Sequence, residues 1–225
     1  MKTDKRTSGN AALDALIGGG LEVRTITQFF GEPASGKSTL CMIAAVACLR
    51  AGQPVVYMDS EGFSIERFRQ IAGEDTEKIA DRLFLFEPLD FEHQGTMIIE
   101  AEKVLKAHKP GLLIMDSATA LYRTDLEKGR DALQALTKQM IHLLGYCKRY
   151  EIPVIITNQV YMDTGKNTFY GLGGVALEHL SKVIVRLEKG DIPGVRRARL
   201  VKHRSHAEGA SFEFEITEDG IRVRN

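Results

Sequence analysis

The chain has 225 residues, of which 44% are hydrophobic and 27% are charged, and its formal net charge is zero. This length suits one large domain and is short for two, and the composition is ordinary for a soluble globular protein. The strongest apolar run, 42–49, is too short to span a bilayer, and the opening MKTDKR leads into no secretory signal, so we expect a cytoplasmic protein without membrane contact.

The zero net charge is unevenly distributed along the chain. Residues 59–102 contain 12 acidic and 4 basic side chains, whereas residues 103–150 contain 9 basic and 4 acidic side chains. A protein that binds polyanions over its whole surface is usually basic overall. Any contact with nucleic acid is therefore expected to be local.

Short apolar runs alternate with helical patterns through most of the chain. The predicted strands are 25–30, 54–59, 83–86, 112–116, 153–158 and 182–187. Apolar residues at three- and four-residue spacing predict helices over 41–51, 91–107 and 131–150. Apolar strands that alternate with helices are typical of a parallel sheet covered on both faces.

The pattern changes near the C-terminus. Apolar and polar residues alternate over 197–204, 211–217 and 220–225, and glycine-containing turns separate these segments. Such segments predict antiparallel strands that extend the sheet. Two further segments, 124–130 and 161–174, follow predicted strands and look like long, flexible loops, which are often functional.

Residues 31–38 read GEPASGKS and match the pattern G-x-x-x-x-G-K-[ST] between a predicted strand and a predicted helix. Glycines at both ends allow positive φ angles and a close approach of backbone N–H groups to phosphate. Lys37 would reach the β and γ phosphates of ATP, and the Ser38 hydroxyl would bind Mg²⁺. The predicted nucleotide-binding residues are Gly31, Glu32, Pro33, Ala34, Ser35, Gly36, Lys37, Ser38 and Thr39.

Carboxylates follow two other predicted strands. Asp116 ends LLIMD and is predicted to hold Mg²⁺ through water, although an aspartate here could simply cap the next turn. Asp59 and Glu61 follow the strand that ends YMD, at the same predicted edge of the sheet. Glu61 would accept a proton from the water that attacks the γ-phosphate, Asp59 competes for this role, and the alternative is that both only solvate the loop.

A third strand end carries the uncharged polar residues Asn158 and Gln159. A glutamine at this position can sense the γ-phosphate through a hydrogen bond and move the loop that follows it. The alternative is a purely structural role for both amides. Gln159 is therefore a candidate sensor of the nucleotide.

These motifs together resemble a known family. GEPASGKS, YMDSEG followed by IERF, LLIMDS, ALYRTD and IITNQV stand in the order found in the ATPase core of RecA-type recombinases, most closely the archaeal RadA and eukaryotic branch. The resemblance begins at TSGNAALDALIGGGLE, and about 20 residues precede the first predicted strand. With this short start, the sequence resembles the core-only archaeal RadB group. It implies one α/β domain over residues 1–225, a RecA-like P-loop ATPase core. Residues 1–20 would then be a short N-terminal segment, with no separate N-terminal DNA-binding domain.

The resemblance also implies a function. The expected protein is an accessory factor of DNA repair and homologous recombination that binds ATP, Mg²⁺ and single-stranded or branched DNA. Weak ATPase activity without robust strand exchange is implied, with RadA and a Holliday-junction resolvase as partners and a homo-oligomer as an option. By motif, Lys37 and Ser38 bind phosphate and metal, Asp116 binds metal, Glu61 activates water and Gln159 senses the γ-phosphate.

The segments after LYR and after TNQV match the two DNA-facing loops of recombinases. The first carries the basic residues Arg123, Lys128 and Arg130. The second carries Lys166, with Phe169 and Tyr170 available to stack on bases, and is shorter than expected for a full recombinase. These residues are the expected DNA contacts.

The basic stretch GVRRARLVKHRSH, residues 194–206, has three competing interpretations. It is a solvated strand face, a contact to the phosphate backbone of DNA, or a finger that reaches the ATP of a neighbouring subunit. The spacing of Lys202 and Arg204 resembles the inter-subunit finger of RecA and KaiC-type ATPases. Such a finger would make turnover depend on oligomerisation.

Four functions compete at this point. They are a recombination ATPase, a KaiC-like or helicase-like ATPase that acts on a protein partner, a small-molecule kinase, and a nucleotide-gated adaptor with negligible turnover. The kinase is the weakest, because the candidate loops follow strand ends and carry DNA-type side chains. The adaptor stays open, since motifs do not encode a rate.

Overall fold

The computed structural model describes residues 4–163 and 168–224. The strands are β1 (Lys5–Arg6), β2 (Leu21–Glu22), β3 (Ile26–Gly31), β4 (Val55–Asp59), β5 (Leu83–Phe86), β6 (Leu112–Asp116), β7 (Val154–Asn158), β8 (Val160–Asp163), β9 (Thr168–Gly171), β10 (Val183–Lys189), β11 (Val195–His203), β12 (Ser211–Thr217) and β13 (Gly220–Val223). The α-helices are α1 (Ala11–Leu16), α2 (Lys37–Arg50), α3 (Ile65–Ala72), α4 (Thr76–Ala80), α5 (Phe91–His108), α6 (Ala120–Thr124), α7 (Arg130–Arg149) and α8 (Gly174–Leu180). Two 3₁₀ turns span Gly73–Asp75 and Leu126–Lys128.

A nine-stranded sheet runs through the centre of the fold in the order β13, β12, β11, β10, β3, β7, β6, β4, β5. Neighbouring strands from β10 to β5 are parallel, and β11, β12 and β13 continue the sheet antiparallel. The predicted mostly parallel sheet with antiparallel C-terminal strands is confirmed. The carboxyl ends of β3, β4, β6 and β7 consequently share one edge, which is where ligands bind in open α/β sheets.

Helices cover both faces of the parallel part, and each face has its own hydrophobic core. Helices α2, α3 and α4 pack on one face, whereas α5, α7 and α8 pack together on the other. Residues of β3 alternate between the two cores, so Ile26 lies in the second and Phe29 in the first. Helix α2 is buried on most of its circumference, which holds its N-terminus firmly at the sheet edge.

Both segments expected to be long, flexible loops contain regular structure. Residues 124–130 comprise the end of α6, a 3₁₀ turn and the start of α7. The buried side chain of Tyr122 anchors α6, and the Asp125 N–H donates to the Tyr122 carbonyl at the end of this helix. The described part of 161–174 contains the antiparallel pair β8 and β9 and the start of α8. Across the described residues, no helix combines the length and apolar character that a membrane crossing requires.

Candidate nucleotide and metal site

The segment between β3 and α2 forms a tight turn whose backbone requires glycine at both ends. Gly31 has φ 156° and Gly36 has φ 97°, and Ala34 between them is also left-handed with φ 63°. A Cβ atom on Gly31 would lie 1.9 Å from the carbonyl oxygen of Leu187 on β10, so no other residue fits there. The turn leads directly into the N-terminus of α2, whose free N–H groups and dipole favour an anion.

Lys37 lies folded over this turn. Its Nζ donates to the carbonyl oxygens of Gly31 and Glu32, both at 2.9 Å. Burial lowers the pKa of Lys37, and the nearby carboxylates of Asp116 and Glu61 oppose that shift. The ammonium is thus held next to the turn by weak neutral acceptors, which phosphate oxygens would outcompete.

Asp116 is fixed at the end of β6 by donors from the two adjacent strands. Its Oδ2 accepts from the Tyr57 hydroxyl at 3.0 Å and its Oδ1 accepts from the Thr157 hydroxyl at 2.5 Å, with the residue 4% exposed. Burial, reinforced by Asp116, raises the pKa of Tyr57 well above its usual range, so the phenol stays a donor. Each carboxylate oxygen retains a lone pair, as water-mediated Mg²⁺ binding requires.

The structure separates the two carboxylates that follow β4. Asp59 Oδ1 accepts from the main-chain N–H groups of Glu61 at 2.9 Å and Gly62 at 2.6 Å, so Asp59 shapes the turn. Burial raises the pKa of Asp59 to about 6. Glu61 is exposed, and its Oε1 accepts from Gln159 Nε2 at 2.9 Å. Glu61 rather than Asp59 therefore has a carboxylate that can face a ligand.

The strand ends of β4, β6 and β7 thus bring together the predicted residues Glu61, Asp116 and Gln159, close to Lys37. Ser35 in the turn is buried, and its Oγ has no hydrogen-bond partner in the described part of the chain. A backbone turn at a helix N-terminus, a lysine, a serine hydroxyl and a fixed carboxylate fit a nucleoside triphosphate with Mg²⁺.

The predicted DNA contacts are only partly described. Arg123, Lys128 and Arg130 are exposed around α6 and the following 3₁₀ turn, where Lys128 forms an ion pair with Asp125 at 2.7 Å. Lys166 lies outside the described residues. The rings of Tyr161 and Tyr170 stack across β8 and β9 with centroids 5.9 Å apart.

The residues proposed as an inter-subunit finger have partners within the chain. Lys202 donates to the carbonyl of Glu178 at the end of α8. Arg204 forms an ion pair with Glu22 at 2.6 Å, and the Glu22 side chain is 3% exposed. In the register of the sheet, Lys202 of β11 lies opposite Ile184 of β10, and Ile184 lies opposite Gln28 of β3. Lys202 and Arg204 therefore lie toward the amino end of β3, away from the turn after Gly31.

Several residues of the site do not emerge from sequence reasoning. Tyr57 and Thr157 support Asp116, and the only signal for Thr157 is a polar residue inside an otherwise apolar strand. The sequence places Arg196 only within a basic strand, yet its Nε donates to the carbonyl of Ala34 in the turn at 3.3 Å. That hydrogen bond depends on the antiparallel register of β11, which the sequence pattern does not reveal.

Comparisons with known proteins identify the family. A family model described as Rad51 matches residues 3–223. The chain belongs to the Rad51 family. Within that family it is an archaeal RadB paralogue, because high identity to RadB proteins extends over its whole length.

The DNA repair and recombination protein RadB of Methanoculleus marisnigri is 65% identical over 225 residues, which cover 99% of this chain and 100% of that protein. The protein of the same name from Methanococcoides burtonii is 43% identical, covering 99% and 100%. A solved structure titled "Crystal structure of the RadB recombinase" superposes with a TM-score of 0.82 at 38% identity, covering 96% of this chain and 97% of that one. The RecA-like fold and the resemblance to RadB are confirmed.

Proposed function

We propose that this Rad51-family chain binds ATP and Mg²⁺ at the carboxyl edge of its sheet, hydrolyses ATP slowly, and uses the nucleotide to control binding to DNA in repair and recombination. The observation that supports this most directly is the convergence of Lys37, Asp116, Glu61 and Gln159 at one edge of the sheet. The printed names of its RadB relatives, DNA repair and recombination proteins, support the biological role.

Binding of ATP uses groups that are already positioned. Main-chain N–H groups of the turn 31–38 and the N-terminus of α2 receive the phosphates. Lys37 exchanges the carbonyls of Gly31 and Glu32 for phosphate oxygens, which are stronger acceptors. Ser38 and Asp116 hold Mg²⁺, which when bound neutralises charge on the phosphates.

Hydrolysis requires a base for the attacking water. The Glu61 carboxylate takes the water proton while the water oxygen bonds to the γ-phosphorus and the bond to ADP breaks. Gln159 holds one Glu61 oxygen, and a carboxylate keeps further acceptor positions on both oxygens. Gln159 is also assigned the role of γ-phosphate sensor, and because it directly precedes β8, its movement would be passed on to that strand.

DNA binding is assigned to the surface beyond this edge. Arg123, Lys128 and Arg130 supply the positive charge for the phosphates of single-stranded or branched DNA. The exposed pair Tyr161 and Tyr170 provides aromatic surface for bases. We further propose RadA and a Holliday-junction resolvase as partners, without robust strand exchange.

A second candidate is a nucleotide-gated adaptor that binds ATP and DNA with negligible turnover. The hydrogen bond from Gln159 to Glu61 favours it, because the proposed base is already engaged.

Lys202 acting in a neighbouring subunit would raise the turnover of an oligomer only. Its present hydrogen bond to Glu178 would have to break first.

The test is binding of single-stranded DNA with ATP, ADP and no nucleotide, over a range of salt concentrations. We expect tighter binding with ATP and a linear decrease of log affinity with log salt. ATP turnover with and without DNA then separates the ATPase from the adaptor. DNA affinity that is insensitive to nucleotide, or absent, would contradict the proposal.

A further inference from the structure

A buried threonine lies between the nucleotide site and both DNA-facing segments. Thr119 follows β6, and its side chain is fully buried. Its Oγ1 accepts from the main-chain N–H of Gln159 at 2.9 Å and donates to Asn158 Oδ1 at 2.9 Å. One hydroxyl therefore contacts two consecutive residues at the end of β7 and uses both its donor and an acceptor position.

Through Asn158, the same hydroxyl is linked to Leu172, the residue that directly follows β9. Asn158 Nδ2 donates to the carbonyl of Leu172 at 2.9 Å, and the Leu172 N–H donates to the carbonyl of Gln159 at 2.9 Å. The packing is close, since a Cβ on Gly171 would lie 2.8 Å from Asn158 Nδ2. The two ends of the segment 160–171 are thus joined in one network with Thr119.

The main chain of Thr119 begins the other DNA-facing segment. The carbonyl of Thr119 accepts from the N–H of Arg123 at 3.0 Å in the first turn of α6. Ser117 Oγ accepts from the N–H groups of Thr119 and Ala120 at 3.1 and 3.0 Å. A displacement of Thr119 would therefore displace the start of the segment that carries Arg123.

These hydrogen bonds are neutral and mutually dependent; those of Asn158 are buried, and the one from the Gln159 N–H is partly buried. Removal of the Thr119 hydroxyl would leave the Gln159 N–H and Asn158 Oδ1 without their partner in the interior, which buried polar groups rarely tolerate. Because each group keeps its hydrogen-bond partner only while the others stay in place, a movement of one group requires the others to move with it. Such a network is a physical route by which two sites can be coupled.

We propose that Thr119 is a positioning residue that couples Gln159 to both DNA-facing segments. When a γ-phosphate displaces Gln159, the hydroxyl transmits the movement to α6 directly and to the β8–β9 pair through Asn158. The inference rests on the proposed function, because nucleotide must act on Gln159. Because Thr119 is fully buried, it is assigned no direct contact with nucleotide or DNA.

The test compares Thr119→Val, which replaces the hydroxyl with a methyl group of similar size, with Thr119→Ser, which keeps it. The quantity measured is the ratio of single-stranded DNA affinities with ATP and with ADP. If the wild-type ratio lies in the usual range for allosteric coupling, about 5- to 150-fold, we expect Thr119→Val to bring it close to one. Thr119→Ser should retain it, and ATP affinity should be little changed in both variants.

A wild-type ratio in Thr119→Val, or an equal loss in Thr119→Ser, would overturn the role of the hydroxyl and leave the proposed function standing. A ratio of one in the wild-type protein would contradict the proposed function itself. Should Thr119→Val fail to fold, hydrogen exchange in the wild-type protein decides. The amides of Gln159 and Arg123 should change protection together on ATP binding, and independent changes would overturn the coupling.

Discussion

Gln159 Nε2 donates a hydrogen bond to Glu61 Oε1 at 2.9 Å, and this hydrogen bond bridges over the strand that ends with Asp116. It does so because β4 and β7, which precede these residues, lie on either side of β6 in the sheet. The proposed base and the proposed sensor are therefore in direct contact. A γ-phosphate that attracts the Gln159 amide would release Glu61, so sensing and base activation would occur together.

Glu61→Gln should retain ATP binding and lose turnover. The substitution keeps the size of the side chain but removes the group that accepts the water proton, and general base catalysis typically contributes about 10²- to 10⁴-fold. Binding is measured by calorimetry and turnover by phosphate release. Glu66→Gln, an exposed change on the neighbouring helix α3, is the control and should be unaffected. Equal turnover in Glu61→Gln and wild type would remove Glu61 from the mechanism.

Lys37→Ala should abolish ATP binding. The Lys37 ammonium donates to the carbonyls of Gly31 and Glu32, and in the proposed site it would exchange them for phosphate oxygens. Charge-assisted hydrogen bonds contribute about 3 kcal/mol to binding, and their loss weakens the affinity for ATP by about 100-fold or more. Lys138→Ala, which removes an exposed lysine of α7, is the control in the same calorimetric titration. Retained affinity would place the triphosphate elsewhere.

Most of the fold follows from hydrophobic patterning, and the reason is visible in particular elements. The strand LLIMD is observed as Leu112–Asp116, because a strand buried on both faces is apolar throughout and ends where the polar edge begins. The sequence predicts a loop where the structure has the β8–β9 pair. These strands are only four residues long, and Tyr161 and Met162 are exposed, so the alternation that marks a half-buried strand is missing.

The candidate site, like the fold, is predictable from the sequence only in part. The sequence predicts that Glu61, Asp116 and Gln159 lie together, because parallel strands place their carboxyl ends at one edge. The hydrogen bonds that position them are not predictable, since Thr157 reaches Asp116 and Arg196 reaches Ala34 only in the observed strand order and register. Hydrogen bonds between elements that are distant in sequence depend on the topology of the sheet, which local sequence does not encode.

Asp59→Asn should stabilise the nucleotide-free protein near neutral pH. Burial raises the pKa of Asp59 to about 6, above the value of about 3.9 in an unfolded chain. Folding therefore favours the protonated acid, and this contribution is lost as pH rises from about 4 through 6. Asparagine keeps the oxygen that accepts from Glu61 and Gly62.

The free energy of unfolding of Asp59→Asn, from urea titrations, should exceed that of wild type by about 1–2 kcal/mol at pH 7.5. The difference should shrink at pH 5 and vanish near pH 4. Asp81→Asn, an exposed change, should show no such trend. A pH-independent difference would mean that Asp59 is already charged in the folded protein at all these pH values.

Replacement of Arg123, Lys128 and Arg130 together by alanine should flatten the salt dependence of DNA binding. Each phosphate of a single strand that the protein no longer neutralises reduces the slope of log affinity against log salt by about 0.7, so the triple variant should show a slope smaller by about 2. Lys103, Lys106 and Lys148 are exposed on α5 and α7, and their triple alanine variant has the same change in charge. An unchanged slope in the first variant, or equal slopes in both, would place the DNA surface elsewhere.

Arg204→Ala should destabilise the fold whether or not the protein oligomerises. Arg204 pairs with Glu22 at 2.6 Å, and its removal leaves a carboxylate that is 3% exposed, with Lys5 at 4.0 Å as its remaining cationic neighbour among residues 4–163 and 168–224. His203 lies 3.8 Å away, but burial lowers the pKa of its imidazole. Because Arg204 is partly exposed, the expected loss is about 1–3 kcal/mol in urea unfolding. Arg197→Ala on β11 removes a pair with Glu213 in which both side chains are partly exposed, and should cost less than about 1 kcal/mol.

A second substitution separates this structural role from the inter-subunit finger. Glu22→Gln in the Arg204→Ala background should recover part of the missing stability, because the uncompensated buried charge is gone. ATP turnover per chain, measured over a range of protein concentrations, should follow the fraction of folded protein in each variant. Full stability in Arg204→Ala with turnover reduced only at high protein concentration would instead assign Arg204 to the ATP of a neighbouring subunit.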